Sequence, residues 1–188
     1  MGLRFKREYL RAPLKTSSLY IMEDYVLKAQ LLNISEGGIL LDHLPSVPPV
    51  NALPLMFSLI DFPEFSLLHP EVLLNLDIEQ MERKVIRMKA RIVRSFEGFS
   101  EVDKIFATKI GCEFVNPGLL EKQLISQYVS RYGKNLIYYL GLFEGRGQKS
   151  NKVDLVRKTA ELLGYDSTEQ LARLRLKALH DYQSLESI

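Results

Sequence analysis

Arg7 and Arg11 stand four residues apart near the amino terminus, and a polar cluster, Asn33-Ile34-Ser35-Glu36-Gly37-Gly38, follows further along the chain. A guanidinium is a planar fork of donors that can pair with an anion through charge-assisted bonds. Lysine does not replace it evenly. Asn33 carries both a carbonyl and an amide, and Ser35 a hydroxyl that can donate or accept. Gly38 leaves room for close backbone approach. Each group has a plainer reading when taken alone. Two arginines at i and i+4 usually face water, and Asn, Ser and Gly together make good turn chemistry, with glycine supplying positive φ.

These residues must be held by strands. From Leu19 to about Gly118 short apolar or alternating runs are separated by Gly, Pro, Asn and Asp. "YVLKAQLLNI" reads as a strand, "SEGG" as a turn and "ILLDH" as the return strand of a hairpin. "ALPLMFSLI" is a third run. "KVIRMKARIVRSF" is a fourth, whose alternation slips near Val85 as at a β-bulge, and "IFATKIGCEFV" is a fifth. Antiparallel strands at this spacing, without a long helix between them, predict a small sandwich or barrel. Residues 61–83, with Pro63 and Pro70, are too long for a hairpin loop. Their apolar content predicts an inserted loop or short helix laid over the barrel, with a lid role as the weaker reading.

Beyond Pro117 the period becomes helical. Leu120, Leu124 and Tyr128 recur every four residues, beside Ile125, Val129 and Tyr132. "NLIYYLGLF" is apolar all round and suits a buried or dimerising helix. The polar, glycine-rich "EGRGQKSN" looks like a boundary. Val153, Val156, Ala160 and Leu163 then predict a helix stopped at Gly164, and Ser167 with Gln170 predicts a capping box for another helix ending near Ser184.

Taken together, RxxxR (Arg7, Arg11) followed by (D/N)xSxxG (Asn33, Ser35, Gly38) on a strand-rich chain resembles the PilZ domain. "ARIVRSFEG" leading into "KIGCEFVNPGLLEKQLISQYV" is similar to that family's late strands, its Gly-x-Glu-Phe turn and its closing helix. The resemblance spans roughly residues 3–132. It implies a six-stranded antiparallel β-barrel, and hence a mainly β fold with an α-helical C-terminal extension. The corresponding division is residues 1–132, a barrel with an N-terminal arm and a closing helix, and residues 133–188, the helical extension.

The resemblance also implies the ligand cyclic di-GMP, bound by Arg7, Arg11, Asn33, Ser35 and Gly38, with Lys6 and Gly37 as accessory contributors. Lys6, just ahead of the first arginine, bears on whether one or two ligand molecules bind. An arm ordered around a charged ligand would turn binding into a signal passed to a partner protein. A protein partner or self-association is expected through the C-terminal helices.

Composition narrows the alternatives. The 188 residues carry a formal net charge of +2 with 46% hydrophobic content, and the sequence pI is about 8.6. That is enough apolar content for a core, without the basic bias of a nucleic-acid binder. Any anion site must be local. Cys112 is alone, so no internal disulfide is expected, and it reads as a small buried hydrophobe. His43, His69 and His180 stand apart without ligand spacing. The sequence offers no nucleophile with a base, no interpretable carboxylate pair and no metal cluster, so a binding module without a cofactor, not an enzyme, is expected. The N-terminal residues lack an apolar leader and no run reaches membrane-spanning length, which predicts a cytoplasmic chain.

"RKTAELLGYDSTEQLARLRLKAL" also resembles, more faintly, the helix-turn-helix of bacterial enhancer-binding regulators, which would make a ligand-controlled transcription regulator. That fit is poor. It needs an extra residue after Gly164, and Arg173, Arg175 and Lys177 do not share one helix face.

Overall fold

The structure is a computed structural model describing residues 9–100, 105–144 and 152–186. Strands β1 (Arg11–Met22), β2 (Tyr25–Ser35), β3 (Gly38–Leu44), β4 (Ala52–Ile60), β5 (Arg83–Ser100) and β6 (Ile105–Val115) carry the period-two pattern that buries one face of each. In β4, for example, Leu53, Leu55, Phe57 and Leu59 point inward while the residues between them are partly exposed. All strands pair antiparallel and close into a barrel in the order β1-β2-β3-β6-β5-β4. Closure runs through Leu19 opposite Met56 and Tyr20 opposite Leu55. The six-stranded closed barrel followed by helices is the fold class expected from the sequence.

Two strand expectations need correction. β1 begins at Arg11, eight residues before the strand signals at Leu19. Its first eight residues, Arg11 to Ser18, are poor in β-branched apolar side chains and are drawn into the sheet by pairing with β2. In β5 the pairing with β4 passes Val85 without a slip, and Val85 is simply an exposed apolar side chain opposite Ser58. The irregularity lies further on, between Ile92 and Arg94 against β6.

Helices α1 (Pro70–Leu74), α2 (Leu119–Glu144), α3 (Lys152–Leu162) and α4 (Leu171–Glu186) complete the fold. α2 is one continuous helix of 26 residues, so the position between 132 and 133 falls inside it. Its buried stripe is Ile125, Tyr128, Val129, Tyr132, Leu136 and Tyr139, whereas Leu120 is largely exposed. Residues 61–83 are stitched to α2. Asn135, fully buried, accepts the Phe65 N–H at 2.8 Å and donates to the Pro63 carbonyl at 2.9 Å. Arg131 donates to Asp61 Oδ1 at 2.6 Å and to the Phe62 carbonyl at 2.7 Å. With α1 against α3, this segment packs on the helices instead of lying across the barrel wall.

Gly164 ends the third helix at φ +83°, a left-handed position that suits glycine. α4 starts at Leu171, later than a capping box at Ser167 would place it. The intervening turn is held by Asp166, whose Oδ1 accepts from Thr168 N–H at 3.0 Å and from its hydroxyl at 2.6 Å. Leu174, Ala178 and Leu185 form the buried side of α4, which packs on α2. Among the described residues, no helix is long and apolar enough to cross a membrane.

Candidate functional site

A bulge decides which way Asn33 faces. On β2, Ala29 and Leu31 are buried, but so is Ile34, because the pairing with β3 shifts between Leu31 and Asn33. The extra residue, Leu32, moves the inward set from odd to even positions. Without that shift Asn33 and Ser35 would continue the series of Ala29 and Leu31 into the apolar interior. With it they stand on the outer face.

Paired residues in antiparallel strands project from the same face, so the registers define two lateral rows on the outside of the barrel. One runs Arg11, Ser35, Gly38, Glu113, Arg91 across β1, β2, β3, β6 and β5. The next runs Pro13, Asn33, Leu40, Gly111, Arg94 across the same strands. Each row carries a glycine, third of five in the first row and fourth of five in the second. At those two points the floor is bare backbone between flanking side chains, which leaves a concavity in the wall.

That concavity measures about 370 Å³ and is lined by Arg11, Asn33, Ser35, Gly37 and Gly38 together with Tyr9, Arg94, Gly111 and Glu113. The volume lies within the range of small-molecule sites. Every site residue expected from the sequence that lies among the described residues is therefore gathered in one pocket. Lys6 and Arg7 lie outside the described residues.

The glycines act through space. A Cβ on Gly38 would stand 2.0 Å from the Cys112 carbonyl oxygen, so β3 meets β6 closely only because Gly38 has no side chain. Phe114 N–H donates to the Gly37 carbonyl at 3.0 Å and holds the turn against β6. Neither glycine adopts positive φ, contrary to the turn expectation. That conformation occurs instead at Glu23, φ 53°, in the β1–β2 hairpin. A Cβ on Gly37 would press on the Tyr9 ring at 2.8 Å, so Tyr9 covers the turn.

Gly111 lies inside continuous β6, so Gly111-Cys112-Glu113-Phe114 forms no turn. Its missing side chain makes room for Arg94, which crosses it and places its guanidinium carbon 5.6 Å from the centre of the Phe96 ring.

Glu113, the one acid among the described residues that line the pocket, is bound by Arg91 Nη2 at 2.6 Å. Ser35, 6% exposed, donates its hydroxyl to the Gly38 carbonyl at 3.2 Å, so its oxygen meets the pocket as an acceptor in this state. Cys112 is buried among inward residues, and burial pushes its thiol up to about 11. It is an inert wall, as its reading as a buried hydrophobe expects.

Sequence reasoning missed Tyr9, Arg94 and Glu113. A mid-strand glycine at 111 was the available signal, since glycine inside a strand marks a site where something approaches the backbone. Among the described residues, no group of three or more His, Cys, Asp or Glu side chains could hold a metal ion.

No protein-family model matches the chain, and none of the curated proteins matches it. Among solved structures, it is similar to the Bacillus subtilis inhibitor of motility (MotI/DgrA), at 20% identity and a TM-score of 0.46 over 67% of this chain and 50% of that one. The chain thus spans half the length of that protein. It is similar to the PilZ domain of YcgR from Escherichia coli, with c-di-GMP, at 12% identity and a TM-score of 0.41 over 66% of this chain and 89% of that one. A third similar structure is the Borreliella burgdorferi PlzA protein in complex with c-di-GMP, at 10% identity and a TM-score of 0.42 over 74% of this chain and 54% of that one.

Proposed function

We propose that the chain is a PilZ-type receptor for cyclic di-GMP that makes and breaks no bond. The observation that supports this most directly is the convergence of Arg11 with Asn33, Ser35, Gly37 and Gly38 around one glycine-floored pocket of about 370 Å³. The two halves of the motif are remote in sequence, and only the barrel's pairing joins them. In this reading Arg11 and Arg94 meet phosphate or guanine with their donor forks, Asn33 reads a base edge, and Gly38 keeps the floor low. Arg7, on the arm preceding β1, closes over the ligand with Lys6 beside it. Ordering of that arm changes the surface offered to a partner protein, and the barrel unit and the helical extension act as sensor and output.

Isothermal titration calorimetry with cyclic di-GMP tests the assignment on wild type, Arg7→Ala and Arg11→Ala. Loss of one charge-assisted partner is expected to weaken binding about ten- to a hundredfold. Absence of binding by wild type, or equal binding by the variants, overturns it. Hydrogen exchange over residues 4–12 tests the arm, with greater protection expected when ligand is present.

In the helical tail, the basic residues lie beside acidic ones. Arg173 and Lys177 both reach Glu169, and Arg175 lies 3.8 Å from Glu144.

A further inference from the structure

Arg11 and Asn33 form a ridge between two concavities. On one side is the glycine-floored pocket. On the other is a larger cleft of about 720 Å³, whose near wall is Arg11, Pro13, Lys15, Leu32 and Asn33 and whose far wall belongs to the helical tail. The far wall has its own logic. Lys177, Asp181 and Ser184 recur at helical spacing on the flank of α4 adjoining the buried side that packs on α2. Asp166, from the turn between α3 and α4, completes it.

This wall is anchored. The Tyr165 hydroxyl donates to Asp181 Oδ2 at 2.7 Å, and its ring stacks on Tyr139 at 5.9 Å. Lys15 Nζ donates to the Gly164 carbonyl at 3.5 Å and ties the turn to β1. Tyr128 OH donates to the Pro13 carbonyl at 2.8 Å, so α2 fixes β1 at the residue paired with Asn33, beside the register shift against β2.

The chemistry of the two walls differs. The barrel side offers cations and an amide. The tail side adds two carboxylates, each with one oxygen already oriented by a donor and acceptor capacity to spare. Thr168 holds the Asp166 carboxyl below its usual range, so it stays ionised near neutral pH. A carboxylate accepts well from paired N–H donors, and the guanine Watson–Crick edge presents N1–H and the N2 amino group side by side. Adenine has no 2-amino group there.

We infer that the tail is part of the ligand site: one guanine of the bound cyclic dinucleotide crosses the Arg11–Asn33 ridge into the second cleft, where Asp166 and Asp181 accept from its N1–H and N2 amino group. This rests on the receptor reading above. It assigns α4 a base-reading role and gives the ligand a direct hold on the helical extension. Ligand binding is then sensed by the tail without any relay through the barrel core.

The test titrates the full chain with cyclic di-GMP and, separately, cyclic di-AMP, for wild type, Asp166→Asn and Asp181→Asn. Both variants keep an acceptor for Thr168 or Tyr165, so the turn and the helix retain their anchors. Each is expected to weaken cyclic di-GMP binding about tenfold or more and to narrow its preference over cyclic di-AMP. Hydrogen exchange on wild type is expected to show ligand-dependent protection over residues 165–184, a readout independent of the variants. Wild-type binding with unchanged variant affinities and no added protection in 165–184 overturns the inference and leaves the receptor reading standing. No wild-type binding overturns both.

Discussion

Replacing Gly38 by alanine adds one methyl group, and the structure says where that methyl goes. It would lie 2.0 Å from the Cys112 carbonyl oxygen, 3.1 Å from the carbonyl carbon and 3.2 Å from the Glu113 Cα. All three are backbone atoms of a paired strand, so no rotamer change relieves the contact. β3 must move away from β6, which weakens the pairing of Gly38 with Glu113 and the bond from Phe114 N–H to the Gly37 carbonyl. Overpacking costs typically about 1–3 kcal/mol, and an unyielding backbone neighbour puts Gly38→Ala at the top of that range. For a chain of this size about 3 kcal/mol corresponds to a Tm lower by roughly 6–12 °C.

Gly111→Ala is the matched control. The three atoms nearest its Cβ would all belong to the Arg94 side chain, Nε at 2.7 Å, Cγ at 2.8 Å and Cδ at 3.3 Å, and a long exposed side chain can swing aside. Thermal unfolding followed by circular dichroism is therefore expected to show a large loss for Gly38→Ala and little for Gly111→Ala, while ligand titration shows both impaired. A Gly38→Ala protein melting with wild type would refute the reasoning, as would equal destabilisation by the two substitutions.

Three further outcomes follow from other parts of the molecule. Gly98→Ala, whose Cβ meets nothing within 4 Å, should leave stability unchanged or raise it by up to about 1 kcal/mol in urea unfolding, because it restricts the unfolded chain. Asn135→Leu leaves the Phe65 N–H and the Pro63 carbonyl without their partner and should cost about 2–4 kcal/mol by the same assay, with faster proteolysis within residues 61–83.

The last outcome concerns alkaline pH. Burial holds the phenols of Tyr128, Tyr132 and Tyr165 above their ordinary 10.0, and the Cys112 thiol is pushed up from 9.0 to about 11. Folding favours the neutral forms, so their contribution is complete below the unfolded values and is lost as pH rises from about 9 upward. Phenolate absorbance at 295 nm should therefore grow together with loss of far-ultraviolet dichroism. Ionisation of all the tyrosines near pH 10 in a still-folded protein would contradict it.

Much of the barrel is legible in the chain because its strands are half buried and alternate. β4 shows this without exception, and the helical stripe of Ile125, Val129 and Tyr132 is equally local. The first eight residues of β1 are not legible, since Arg11 to Ser18 extends by pairing with β2 and not by its own apolar content. The reading that residues 61–83 lie over the barrel misplaced them for a related reason. Asn135 looks like any polar residue on a helix until its two amide atoms are seen to close the insertion's backbone bonds.

For the site, the motif resemblance singled out Arg11, Asn33, Ser35 and Gly38, and a guanidinium fork, an amide edge and glycine space are properties of the residues themselves. Their meeting depends on register, which is a property of strand pairs. The bulge at Leu32 turns Asn33 outward, yet leucine there looks like its neighbours, and the irregularity exists only relative to β1 and β3. Arg94 and Glu113 join the pocket through β6 in the same way, by pairing opposite Gly111 and Arg91. The sequence by itself determined which donor and acceptor groups are available and which faces are apolar. Closure of the barrel decided which of those groups share a face, since lateral neighbours in a sheet are remote in the chain and are joined by backbone hydrogen bonds indifferent to side-chain identity.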